Sequence, residues 1–199
     1  MTAYQIIILS SWAAFIVVWT VLSFFAKRDV RGGFSGFWKE YWALRIIVVI
    51  ALAFAVLRAF SGSSHFANPG NIFLRGVFVA PPLLGWIAAV ISVVGISFAV
   101  WARLHLGRNW SPRPAVKEHH ELVTSGPYAY VRHPIYSGII LLAFGAAISG
   151  SLVGVIALVF ASIVYLFRIR KEERIMLGLF PDQYPAYQAR TKKLIPFVW

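Results

Sequence analysis

The reactive side chains of this sequence concentrate in two short segments, "HHELVTSGPYAYVRHPIY" at 119–136 and "RIRKEER" at 168–174. In the second, Arg168 and Glu172 stand four apart, as do Arg170 and Arg174, so on a helix each pair shares a face. The plainer role of Arg168 with Glu172 is a surface ion pair worth about 0.3–0.5 kcal/mol, with Arg168 reaching to the lipid interface. The alternative divides the pair: Arg168 receives a substrate anion while Glu172 holds a cofactor hydroxyl or ammonium. Glu173 points elsewhere on the helix, toward solvent or a salt bridge.

In the first segment Gly126-Pro127 favours a turn, and Pro134 moves His133 out of helical geometry while itself suiting the first turn of a helix. First-turn amides lack helical partners, which makes a carboxylate a natural ligand there. His133 could donate to that ligand, cap the loop, or lie at headgroup level. Tyr128, Tyr130 and Tyr136 are equally an interfacial aromatic belt or rings packed on an adenine or a lipid tail. His119, His120 and Glu121 lack the helical His-Glu-x-x-His spacing that surrounds one ion, so no metal is expected. No Gly-x-Gly-x-x-Gly turn offers a dinucleotide site, and Gly145, Gly150 and Gly154 are assigned to structure, with close helix packing as the simplest role. His65 and His105 have no evident partner.

The elements that must position these groups are membrane helices. Of 199 residues, 59% are hydrophobic and 13% charged, well below the roughly 25% charged in soluble domains. The expected fold is all-α, a polytopic helical bundle forming a single membrane domain over 1–199. Spans are read at Ala3 to Ala26, Tyr41 to Phe60 and about Leu83 to Leu104, with Ile72 to Ala80 as an interfacial or re-entrant piece. A structured loop follows to His133. The apolar run from Ile135 to Phe167, broken at "SGS" (149–151), then gives two short helices of about 15 and 17 residues. The second can continue as a helix beyond the lipid, and Pro181 and Pro185 interrupt the tail. The first segment, without a preceding basic run or a cleavage pattern, resembles a retained helix more than a signal peptide. With no cysteine, disulfides and thiolate chemistry are absent.

Five spans place the loop after span 1, the end of span 3 at Arg103 with the loop that follows it, and the tail on one side, together holding 16 of the 19 basic residues and all 7 acidic ones. By the positive-inside rule that side is cytoplasmic and the N-terminus lies outside, as in a bacterial inner membrane. The charge of +12 therefore reports topology, and nucleic-acid binding is not expected. A hairpin joins its own ends, so the two reactive segments, about 30 residues apart in sequence, should meet in space.

"HHELVTSGPYAYVRHPIYSG", a hairpin, and "FRIRKEERIMLGLFPDQYPAYQARTKKLIPFVW" closely resemble the C-terminal half of the isoprenylcysteine carboxyl methyltransferase family, over roughly Leu104 to Trp199. Related phospholipid methyltransferases have a similar pattern. The resemblance divides the domain into three N-terminal helices, 1–104, and a methyltransferase-like catalytic region, 105–199. It implies a cytoplasmic S-adenosylmethionine pocket made by His120, Glu121, Leu122, Val123, Tyr128, His133, Pro134, Ile135, Tyr136 and Glu172, with S-adenosylhomocysteine as product. Arg168 and Glu172 are the implied catalytic pair, Arg168 holding the substrate's carboxylate. The implied acceptor is an isoprenylcysteine-like or other lipidic acid taken from the bilayer. The alternatives are a phospholipid amine acceptor, an NADPH-dependent sterol or isoprenoid reductase, and a membrane scaffold or lipid-binding protein. An amine beside Arg168 meets like charge, which favours an acid.

Overall fold

Prolines open two of the helices. In the computed structural model, which describes residues 2–23, 80–107, 110 and 121–198, Pro82 starts α2 (Pro82–Leu106) and Pro134 starts α3 (Pro134–Ile148). Both sit where the missing N–H has no helical partner to lose. The other helices are α1 (Ala3–Ser23), α4 (Leu152–Leu179) and the short α5 (Gln183–Arg190), and a 3-10 turn occupies Gly126–Ala129. Among the described residues, α1, α2 and α4 are long and apolar enough to cross a membrane, and α3 is a shorter apolar helix. Span 2, the 72–79 part of the re-entrant piece, His65, His119 and His120 lie outside the described residues.

The hairpin forms where the sequence breaks at "SGS". Gly150 takes a positive φ of 89° between α3 and α4; its structural role is this turn, where the sequence had suggested helix packing. Ser151 then caps α4 by accepting the Gly154 amide at 3.1 Å. At 28 residues, α4 is about 42 Å long and exceeds a hydrocarbon core of about 30 Å, so its charged end projects past the lipid. It stops at Leu179, before Pro181. Pro185 does not interrupt the tail as expected: it falls in the first turn of α5, where proline is tolerated.

Small residues draw α2 and α3 together antiparallel. A Cβ on Gly95 would lie 2.5 Å from the Leu142 amide nitrogen, one on Gly138 2.6 Å from Ala99 N, and one on Gly145 would strike Ser92 Oγ. Gly154 likewise presses on the Ala146–Ala147 backbone of α3. Such close approach supplies the dispersion contact that joins helices in lipid. α1 packs beside α2 in parallel, with Tyr4 over Gly85 and Ile8 clustered with Ala88 and Ala89. Arg103, buried near the end of α2, donates to Leu22 O at 2.7 Å and Gly107 O at 2.9 Å, and its guanidinium lies 4.2 Å from the Trp110 ring centre. One cation thus serves the carbonyl ends of both helices. The two C-termini share one side, as the charge distribution required for spans 1 and 3. The ends of α2 and α4, the start of α3, and both reactive segments meet there.

Candidate active site

The loop entering the site is seated on a histidine. Gly126 has φ 58°, and a side chain there would strike the His105 ring at 2.7 Å. His105 Nε2 lies 2.9 Å from Ser125 Oγ, and its ring stacks on Tyr128 at 6.4 Å. His105 therefore has the partners that its sequence position did not reveal. Tyr128 is buried in a cluster with Ala99, Ala102, Trp110, Ile135 and Ile139, against which Val123, Tyr136 and Tyr165 also pack.

The tail closes over this loop. Val131 forms a parallel bridge with Lys192, and the Arg132 and His133 amides donate to Lys192 O at 2.8 Å and Lys193 O at 3.0 Å. Ser137 Oγ donates to Leu194 O at 2.6 Å, and Tyr187 donates its hydroxyl to Tyr128 O at 2.7 Å. Burial raises the Tyr187 hydroxyl to about 12 against the opposing pull of Arg132 and Arg190, so it remains a donor at neutral pH. Arg132 holds the junction: Nε meets Glu173 Oε1 at 2.8 Å, while a terminal nitrogen donates to Gln188 O at 3.2 Å and to Thr191 O. Glu173 is thus salt-bridged and largely shielded, not solvent-facing.

The hairpin brings the two reactive segments together. Glu172 Oε1 accepts from Tyr136 Oη at 2.6 Å and from Arg168 Nε at 2.8 Å. Glu172 Oε2 lies 3.6 Å from His133 Nδ1, and Glu173 Oε1 lies 3.5 Å from His133 Nε2. These are ion-pair distances, and Nε2 is buried without a hydrogen-bond partner. Burial opposes charge on His133, but its contacts with Glu172 and Glu173 prevail and raise its pKa above the usual imidazole value. Flat rings line the same place: His133 stacks on Tyr136 at 5.6 Å and Tyr136 on Tyr165 at 4.3 Å. The Arg168 guanidinium lies 5.7 Å from the Tyr136 ring centre.

Glu172 and Tyr136 therefore each contact both His133 and Arg168. Pro134 and Ile135 are buried beside them, Val123 and Tyr128 lie within the adjoining core, and Leu122 is half-buried. Glu121 is exposed, as is Tyr130; His120 falls outside the described residues. The sequence reading gave no role to Arg132, Tyr165, Ser137 or Tyr187. Arg132 stood inside the quoted motif beside His133, but nothing local announced that its partners would be backbone carbonyls 56 and 59 positions away. Tyr165 sits one turn before Arg168, and its i−3 spacing was the available signal.

A model of the Isoprenylcysteine carboxyl methyltransferase (ICMT) family matches residues 87–178. The chain is 30% identical over 173 residues to a protein-S-isoprenylcysteine O-methyltransferase of Schizosaccharomyces pombe, covering 80% of this chain and 68% of that protein. It is 38% identical over 85 residues to protein-S-isoprenylcysteine O-methyltransferase B of Arabidopsis thaliana, covering 41% of this chain and 43% of that one. The solved eukaryotic intramembrane Ras methyltransferase superposes with a TM-score of 0.51 at 29% identity, over 59% of this chain and 46% of its own. The chain thus spans about half the length of the latter two.

Proposed function

The chain belongs to the isoprenylcysteine carboxyl methyltransferase family and is a membrane methyltransferase, and from that premise we propose that it methylates the carboxylate of an isoprenylcysteine-like lipidic acid with S-adenosylmethionine. The observation that carries this reading is the Tyr136–Glu172–Arg168 contact, with His133 alongside, at the charged end of the hairpin. The names of the relatives favour methyl transfer over the reductase and scaffold readings.

The residues suit the donor's chemistry. Its amino-acid end, ribose and adenine call for hydrogen-bond donors, a carboxylate and apolar surfaces. Buried His133 Nε2 lacks a hydrogen-bond partner, Glu172 supplies the carboxylate, and Val123, Tyr128 and Ile135 supply apolar packing. Glu121, Leu122, Pro134 and Tyr136 complete the set that would hold it, together with His120. When bound, the cofactor supplies an electrophilic methyl group carried on a sulfonium.

The chain's own work is to orient and to exclude water. Tyr136 and Arg168 both hold Glu172 Oε1, fixing the carboxylate that faces the donor. Arg168 orients Glu172 through Nε, and a planar guanidinium is the side chain whose fork geometry matches the carboxylate of a lipidic acid. An ionised acceptor is already nucleophilic, so alignment does what a general base would do for an alcohol. The stacked rings of His133, Tyr136 and Tyr165 keep the polar contacts in apolar surroundings, where they are stronger. Val164, four residues before Arg168 and so on the same face of α4, is among the exposed apolar side chains of that helix, so a lipid tail can lie there while its carboxylate reaches the guanidinium. The proposal includes a site on the cytoplasmic side of a bacterial inner membrane with the N-terminus outside, a reading supported by the distribution of basic residues.

The test is to incubate purified protein with methyl-labelled donor and membrane lipid from its source. Label released from lipid by mild base is an ester and supports the proposal. Base-stable label on an amine moves the assignment to phospholipid methylation, and absence of labelled lipid rejects an acceptor from that membrane.

A further inference from the structure

Beyond the tail's contacts with the loop, the segment "IPFV" at 195–198 makes a second surface. Leu194 is buried and tied to Ser137, one turn inside α3, which fixes the start of this segment at the depth where α3 enters the apolar layer. Immediately afterwards Ile195 is 54%, Phe197 88% and Val198 71% exposed. The Val198 amide donates to Ile195 O at 3.2 Å, closing a turn with Pro196 at its second position and Phe197 at φ 65°. That pattern is a type II turn, whose third position ordinarily takes glycine. A phenylalanine held in the left-handed region is a costly backbone state. What the strain achieves is an apolar tip with its largest ring turned fully outward. Arg190, Lys192 and Lys193 precede the tip in sequence, and Trp199, a residue type favoured at membrane interfaces, follows it.

We propose that the turn at 195–198 is a membrane-surface anchor that inserts Ile195, Phe197 and Val198 into the anionic leaflet on the side of the active site, with the neighbouring basic residues drawn to lipid headgroups. Apolar groups beside cations at interfacial depth are the combination that binds anionic lipid surfaces. A second copy of the chain fits less well, because two such tips would bring their cationic flanks together. By bracing the stretch that supplies carbonyls to the Arg132 and His133 amides, the anchor connects the site to the bilayer surface. The proposal concerns a lipid contact and stands independently of the acceptor.

The chain has no cysteine, so Val198→Cys carries a single environment-sensitive fluorophore in the full-length protein. In nanodiscs containing anionic lipid, the label should be blue-shifted, quenched by brominated acyl chains and shielded from aqueous iodide. Adding Phe197→Ser should shift quenching toward iodide, and exchanging anionic for zwitterionic lipid should weaken quenching by the brominated chains. Quenching by iodide alone would overturn the proposal by placing the tip in water. Protection from both quenchers would overturn it by placing the tip against protein, and lipid quenching indifferent to headgroup charge would overturn the role of the basic flank.

Discussion

Glu172 receives a tyrosine hydroxyl and an arginine N–H on one oxygen, so charge at this position matters more than shape. Glu172→Gln keeps the volume and removes the charge. Hydrogen bonds to charged groups contribute about 1.5–3 kcal/mol, so donor affinity should fall roughly ten- to a hundredfold in calorimetric titration, with the folded yield retained. Arg168→Lys keeps the charge but loses the planar fork. Its expected signature is a raised KM for the acceptor with donor affinity unchanged; equal loss of both would reject the division of labour. His133 gives the site a pH dependence. Its folded pKa lies above the usual imidazole value, so its ionised form stabilises the fold fully below about pH 6.5, and that contribution is lost as pH rises through the folded pKa. The difference in thermal midpoint between the native protein and His133→Gln should therefore shrink as the pH rises above about 6.5. At this scale the sequence was informative where motif and helical spacing coincided, as at His133, Arg168 and Glu172. It was silent on Arg132, because a side chain whose acceptors are distant carbonyls leaves no periodic trace.

Helix spacing and glycine distribution were legible because each follows from local rules. Proline marked the starts of α2 and α3, and "SGS" marked the hairpin. Gly150 and Pro185 show the limit of that reading: the same residue type serves as packing or turn, as breaker or first-turn residue, according to where the helix boundary falls. Gly138 offers a direct test of the α2–α3 contact. Its added Cβ would meet Ala99 N and Gly95 O, both backbone atoms that cannot rotate away. Gly138→Ala should cost about 1–3 kcal/mol through overpacking, measured as a lowered unfolding midpoint in detergent, whereas Gly178→Ala, with open space around it, should not lower that midpoint.

Across the molecule, α2, α3 and α4 bring their charged ends to one side and the tail locks them there. A chain ending at Pro181 lacks the hydroxyl donor of Tyr187 and the carbonyls of Gln188, Thr191, Lys192, Lys193 and Leu194. It should keep the circular-dichroism signature of the membrane helices and lose donor binding; retained binding would show that the tail is dispensable. The approach of the two reactive segments could be foreseen from hairpin connectivity. The tail's return could not, because α5 is short and its pairing with 131–133 depends on backbone groups that every residue type carries. That pairing also sets a timetable. Residues 131–137 are made well before 191–194, and until those later residues emerge from the ribosome the loop's amides have no carbonyls to meet. The loop that enters the site thus takes its final backbone pairing only after α2, α3 and α4 have all been made.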